Sequence, residues 1–296
     1  MPKHVPPFTL GALELSPVFP GINPSEAVAM TLEIAPMLEG FGYSRYWLAE
    51  HHSSKVAHSC PELLLPLIAV RTQRMRIGAG GILLRLHSPL KIAKDFKLLH
   101  SIFPNRIDLG IARGGTPPEM TKLLRNSSAE EASFENQISE LLCYLRETAT
   151  IVANPQGVQP PEVWMLGSNV TSMHLAALHG TAFCFACFLA NPATDPANVL
   201  KIYSREFAAS AEFVEPKSSI AFAGVCMRTD ARAQELAQKE TPIGMYPTVV
   251  GSPKTCGDVV RNLHGRTGVT EFVFLDMCQR LEDKLESYRL LAEELL

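Results

Sequence analysis

Eight apolar segments of strand length, separated by stretches of helical periodicity, run through this 296-residue chain, and that alternation restricts its fold more than any other feature. The segments span residues 13–19, 43–50, 76–84, 107–113, 163–168, 182–188, 220–227 and 271–276. Helix-start signals fall between them: Asn23-Pro24-Ser25-Glu26 before 27–39, Pro61-Glu62 before 63–72, Ser88-Pro89 before 90–102, and Asp195-Pro196 before 197–209. A strand followed by a helix, repeated eight times without a long break, predicts a closed parallel α/β structure, the (β/α)8 TIM barrel. A doubly wound nucleotide-binding sheet would carry a glycine-rich turn after its first strand, and Leu15-Ser16-Pro17-Val18-Phe19-Pro20-Gly21 stands there instead. With 46% hydrophobic residues the chain can fill one large core, so residues 1–296 are read as a single domain. The connection between the fourth and fifth strands, about 114–161, is long and is expected to form part of a rim or lid.

The 27 basic and 30 acidic residues are mixed along the chain, for a net charge of −3, which leaves no basic block for nucleic acid or an anionic membrane. Met1-Pro2-Lys3-His4-Val5-Pro6-Pro7 lacks the apolar run of a secretory signal, so a cytoplasmic protein is expected. Seven cysteines, an odd number scattered through apolar segments, suit reduced thiols. Cys184 and Cys187 have the spacing of a metal or redox pair, but strand alternation sends them to opposite faces. Glu50-His51-His52 is too tightly adjacent to chelate one ion, so no metal is expected.

In such a barrel the chemistry lies at the C-terminal ends of the strands. The second strand ends in Glu50-His51-His52, where alternation lets one imidazole face the cavity. The third holds Gly78-Ala79-Gly80-Gly81, unusual within a strand and explained either by a flat ring lying against it or by a bulge in the wall. The fifth ends in Gly167-Ser168-Asn169 and runs straight into a helix, a natural anion site to which Arg113 or Arg125 can add charge, although Ser168 or Asn169 can equally be a plain helix cap. The remaining histidines, His87 among them, read as surface or satisfied packing, and Arg106 with Asp108 as an ion pair at the barrel's bottom. No GxSxG elbow is present.

These residues also carry a family resemblance. The run from Gly42 to His52, the stretch from Arg76 to Leu84 with His87-Ser88-Pro89 following, Pro104-Asn105-Arg106-Ile107-Asp108-Leu109-Gly110, Leu166-Gly167-Ser168-Asn169 and the closing run from Ser287 to Ala292 resemble the luciferase-like, flavin-dependent monooxygenases, particularly their short single-subunit group. The resemblance implies a barrel that binds FMN, usually as a homodimer, takes the reduced flavin from a separate reductase, and uses molecular oxygen to form a flavin hydroperoxide that oxidises a small organic substrate such as an aldehyde, ketone or polyketide-like aromatic. By position it places Gly80 and Gly81 at an often cis peptide beside the flavin ring, Arg113 and Arg125 on the phosphate, and Ser168, Asn169, Ser172 and Met173 at the phosphate-cradling helix start. His51 matches the imidazole credited with proton transfer.

The chain departs from the family pattern at Arg85, Leu86, Lys94, Asn105, Ala112, Asn169 and Cys187, and the segment 229–270 is short. Those departures keep open an inert flavin- or ligand-binding paralogue, or a partner subunit. A deazaflavin-dependent reductase on the same barrel is the third reading, and Ala49-Glu50-His51-His52 argues against it.

Overall fold

The computed structural model describes residues 8–19, 21–115, 118–125, 133–237, 245 and 247–296, except for the side chains of Pro118 and Arg125. The chain alternates strand and helix: β1 (Thr9–Glu14), α1 (Pro24–Phe41), β2 (Arg45–Leu48), α2 (Pro61–Ala69), β3 (Arg76–Leu83), α3 (Pro89–Ile102), β4 (Ile107–Ala112), α4 (Pro118–Arg125), α5 (Phe134–Leu145) and β5 (Glu162–Gly167). It continues through α6 (Val170–His179), β6 (Ala182–Ala186), α7 (Pro196–Glu206), β7 (Ser218–Cys226), α8 (Asp230–Ala237), β8 (Val249–Gly251), α9 (Pro253–Thr267), β9 (Glu271–Asp276) and α10 (Leu281–Leu295). Eight strands pair in parallel in the order β1-β2-β3-β4-β5-β6-β7-β9, and β9 returns to β1 through the register Thr9↔Glu271 to Ala12↔Phe274, closing a (β/α)8 barrel.

The start signals act as their chemistry dictates. Proline opens α1, α2, α3, α7 and α9, where the missing N–H costs nothing. Asn23 and Glu26 form a reciprocal capping box on α1, which ends on Gly42 at φ 98°, a left-handed position suited to glycine. The wall has the two faces that strand alternation requires. Leu10, Ala12, Tyr46, Leu48, Phe183 and Phe185 pack outward against the helices, while Leu13, Leu15, Trp47, Ala49, Trp164 and Cys184 pack inside. Cys187, in the turn after β6, packs against the outer layer, and all seven cysteines are free.

The N-terminal mouth of the barrel is filled by charge. Asp108 is bonded to Arg45 and takes Arg76 Nε at 2.8 Å and the Trp47 indole N–H at 2.9 Å; Arg45 Nε reaches Glu271 at 2.7 Å, and Lys217 reaches Glu162 at 2.7 Å. The Arg45 guanidinium also lies 5.0 Å from the Trp47 ring and 4.7 Å from the Trp164 ring.

Three expectations change here. The first strand is Thr9–Glu14 and not 13–19: Gly11 belongs inside it because a Cβ there would meet Arg45 Cβ at 3.1 Å, and Ser16, at φ 52°, turns the chain out of the strand. A ninth strand, β8, pairs with the end of β7 and is too short to show a pattern. Arg106 does not pair with Asp108. It donates instead to the carbonyls of Met75 and Ala69 at 3.1 Å and to Thr72 Oγ1 at 2.6 Å.

Candidate active site

The C-terminal ends of the strands surround a cavity of about 480 Å³. Leu13, Leu15, Trp47, Met165, Ala221 and Val273 contribute an apolar interior, and Phe188, Leu189 and Met245 add further apolar wall. Polar groups stand at its edge. His51, Gly80, Gly81, Arg113, Ser168, Asn169 and Ser172, from four separate stretches of sequence, all line this one cavity. Met173 does not. Its side chain is buried in the outer core and its amide donates to Asn169 O at 3.2 Å, because the fourth residue of α6 points back toward the sheet. Arg125 closes α4, and its side chain lies outside the described residues.

Packing and access both account for the paired glycines. The Gly80–Gly81 peptide is cis, and the β3–β4 register shifts between Ala79 and Ile82. A Cβ on Gly80 would sit 2.8 Å from Trp47 Cβ and 3.1 Å from Leu13 Cδ1; one on Gly81 would sit 2.9 Å from Gly110 O. The bulge reading is therefore correct for the wall, while both glycines also border the cavity.

Across the cavity, Asn169 is the N-cap of α6, with Oδ1 accepting from the Ser172 amide at 3.0 Å and the Ser172 hydroxyl donating to Asn169 O at 2.8 Å. This cap leaves the Val170 and Thr171 amides at the open helix end, where partial positive charge gathers. Gly167 leads into that end, and a Cβ there would meet Ser172 Oγ at 1.9 Å. The exposed Arg113 guanidinium lines the same rim and makes no ion pair among the described residues. Gly114, Gly115 and Phe134 bring the start and middle of the β4–β5 connection to the mouth. Buried Lys97 holds the far part of that connection through Glu147 at 2.6 Å, and Glu147 accepts the Gly157 amide at 2.8 Å.

The third polar group surrounds Glu50. Strand β2 stops at Leu48, so both histidines lie beyond it; His51 lines the cavity while His52 turns to Glu50. Glu50 Oε1 meets His52 Nε2 at 2.7 Å and His87 Nε2 at 2.8 Å, and Oε2 accepts the Leu83 amide at 2.8 Å. Burial pushes the Glu50 carboxyl up, but the bonds from His87, His52 and Leu83 outweigh it and hold it below its ordinary value. Burial pulls the His51 imidazole down, with His52 adding to the effect against Glu50. Burial acts the same way on His87, yet the hydrogen bond and charge of Glu50 reverse it and raise that imidazole. His87 is thus no packing histidine. Its one sequence signal was its place just beyond the glycine-bearing strand.

Of the departures from the family pattern, Ala112 and Asn169 line the cavity, whereas Arg85, Leu86, Lys94, Asn105 and Cys187 do not. Lys94 is exposed on α3, and Asn105 sits at φ 61°, a backbone position that asparagine tolerates in place of glycine.

A parallel (β/α)8 barrel whose strand ends enclose an apolar cavity, with a helix start and an imidazole at its edge, defines a ligand site at the C-terminal face. The luciferase-like monooxygenase family model matches residues 9–249, and the chain belongs to that family of oxidoreductases. The Bacillus subtilis (strain 168) protein YceB is 32% identical over 96% of this chain and 98% of its own length. Apo-MsnO8 superposes with a TM-score of 0.86 at 28% identity, covering 98% of this chain and 99% of that one. The oxygenating constituent of 3,6-diketocamphane monooxygenase from Pseudomonas putida, a type II Baeyer-Villiger monooxygenase solved with FMN, shares the fold at a TM-score of 0.73 and 18% identity over 97% of this chain and 98% of that one.

Proposed function

We propose that this chain is an FMN-dependent monooxygenase that receives reduced FMN from a separate reductase, uses molecular oxygen as co-substrate, and oxidises a small organic molecule of the aldehyde, ketone or polyketide-like aromatic kind. The observation that carries this reading is the pairing, in one cavity, of an apolar interior with a cationic helix-start rim. The residues fit the group. Gly80 and Gly81 leave a side-chain-free strip of wall for the edge of a flat ring, and Arg113, Ser168 and the Val170 and Thr171 amides suit a phosphate, with Asn169 and Ser172 shaping the helix end that presents them. Arg125 is assigned to the phosphate by position alone. Met173 supports the cradle from beneath.

When bound, reduced flavin supplies the electrons with which oxygen is activated. The chain does the rest. Its apolar wall excludes water from the reacting groups, and the His51 imidazole, uncharged near neutrality because burial lowers it, accepts and returns a proton at the cavity edge. The cavity-lining departures are few, which favours a working enzyme over an inert paralogue.

Leu63, Leu67 and Val70 at α2, with Leu98 and Ile102 on α3, leave an exposed apolar face that suits a homodimer. Among the described residues no helix is long and apolar enough to cross a membrane.

The test is a titration with oxidised and with anaerobically reduced FMN, followed by mixing with oxygen and a panel of ketones and aldehydes. Tight binding of reduced FMN, an oxygen-dependent transient in the flavin absorbance and an oxygenated product are expected. Bound flavin without oxygen consumption assigns the chain to the inert reading, and oxygen-independent hydride transfer to the reductase reading. Light scattering gives the oligomeric state, with Leu63→Glu and Leu67→Glu together expected to yield monomers.

A further inference from the structure

Glu50 is the carboxylate that lines the cavity among the described residues, and its side chain is fully buried. Both imidazoles that reach its Oε1 approach from outside the cavity. His52 is 11% exposed, and His87, which does not line the cavity, is 26% exposed. The carboxylate therefore stands in the wall itself, facing the ligand space on one side and a solvent-touching imidazole at 2.8 Å on the other. The Leu83 amide on Oε2 and His52 on Oε1 fix its plane, so the His87 contact has a set geometry.

We propose that Glu50 and His87 form a proton path through the cavity wall, by which acid–base chemistry inside the closed site exchanges protons with solvent. It rests on the reading that the cavity is the reaction site. For an entering proton, the His87 imidazolium gives its Nε2 proton to Glu50 Oε1 and keeps the N–H electron pair, becoming neutral. The carboxylic acid passes that proton to an acceptor in the cavity, becoming carboxylate again, and His87 swings its bare Nε2 to solvent, takes a proton there from hydronium or a buffer acid, and returns to Glu50. A leaving proton runs the same steps in reverse. His87 acts through Glu50 and touches nothing in the cavity itself.

The charges that face His87 are Glu50 from the end of β2, Glu62 from α2 and Lys91 from α3. Two carboxylates against one ammonium favour the imidazolium, in the same direction as the raised His87 and the lowered Glu50. Inside the wall, His51 interacts with both Glu50 and His52 and is held toward its neutral form, an acceptor for what the path delivers.

The first measurement needs no flavin. In ligand-free protein labelled at histidine with ¹⁵N, His87 titrates above the ordinary imidazole value, and Glu50→Gln lowers its midpoint by about one unit. The second is turnover against pH. His87→Gln keeps an N–H for the bond to Glu50 and carries no transferable proton near neutrality; it lowers the rate about tenfold or more while FMN affinity stays at the wild-type value. Imidazole added to His87→Ala restores the rate in proportion to its concentration.

A His87 midpoint that Glu50→Gln does not move, or His87 variants with the wild-type pH profile and no imidazole response, overturns the proposal. If Glu50→Gln does not fold, the wild-type titration and the imidazole rescue decide. Wild-type protein that binds no flavin sinks the functional reading instead, and the titration still shows whether Glu50 and His87 share a proton.

Discussion

Replacing Asp276 by asparagine removes a carboxylate that burial opposes, and the pH dependence of that change follows from the structure. Asp276 ends β9 and is 4% exposed; its Oδ1 accepts the Cys278 amide at 2.9 Å and its Oδ2 has no hydrogen-bond partner. Glu14 ends the neighbouring β1, equally buried, and takes the Lys284 ammonium at 2.7 Å. Two carboxylates thus share one cation away from water. Burial pushes the Asp276 carboxyl up from 3.8 to about 6 against the pull of Lys284 and of the Cys278 amide. The native state therefore binds this proton more tightly than the unfolded chain, so the associated stability is full below pH 3.8 and is lost as the pH rises through about 6. A shift of this size corresponds to about 3 kcal/mol, of which roughly half is lost between about pH 5 and pH 8.

Asparagine is neutral throughout and keeps an acceptor for the Cys278 amide. The stability of Asp276→Asn relative to wild type should consequently rise by about 1.5 kcal/mol from pH 5 to pH 8, or about 3 °C in melting temperature for a chain of this length. Urea unfolding of both proteins across that range, followed by tryptophan fluorescence, measures it. Parallel stability curves, or a relative stability that falls with pH, would refute the assignment of an uncompensated charge to Asp276.

Two further perturbations address the barrel floor and the rim. Asp108→Asn leaves the buried Arg45 guanidinium with Glu271 as its nearest carboxylate and removes the acceptor charge for Arg76; it should cost about 3 kcal/mol, seen as a melting temperature lower by about 6 °C in differential scanning calorimetry. The only two tryptophans, Trp47 and Trp164, both pack on Arg45, so the emission spectrum should shift as well. Arg113→Ala should weaken FMN binding about tenfold and leave riboflavin binding unchanged, a difference read by fluorescence titration of the two flavins.

The architecture was legible because the strand–helix alternation is continuous and proline marks the helix starts. The first strand was misplaced since Gly11 and Glu14 dilute its apolar character, and their reasons lie elsewhere in the chain: close packing on Arg45 for one, the Lys284 ion pair for the other. The partner of Asp108 was misread for a related cause. Arg106 is near in sequence, but Arg45 and Arg76 begin neighbouring strands, and parallel pairing carries them to the carboxylate.

At the site, strand-end positions and the helix start at Asn169 could be read directly, because barrel geometry sends them to one face. The contact between Glu50 and His87 could not. It joins residues 37 apart and depends on the turn that follows β3. Met173 belongs to the helix at that site without lining the cavity, because one turn into α6 the side chain is already in the core.

Anaerobic titration of the protein with reduced FMN and with reduced riboflavin, followed by rapid mixing with oxygen, probes the proposed flavin chemistry most directly. Reduced FMN is predicted to bind more tightly than reduced riboflavin, quench the emission of cavity-lining Trp47, and yield an oxygen-dependent flavin transient before reoxidation. Equal affinity for the two flavins, or reoxidation at the rate of free flavin with no transient, would contradict it.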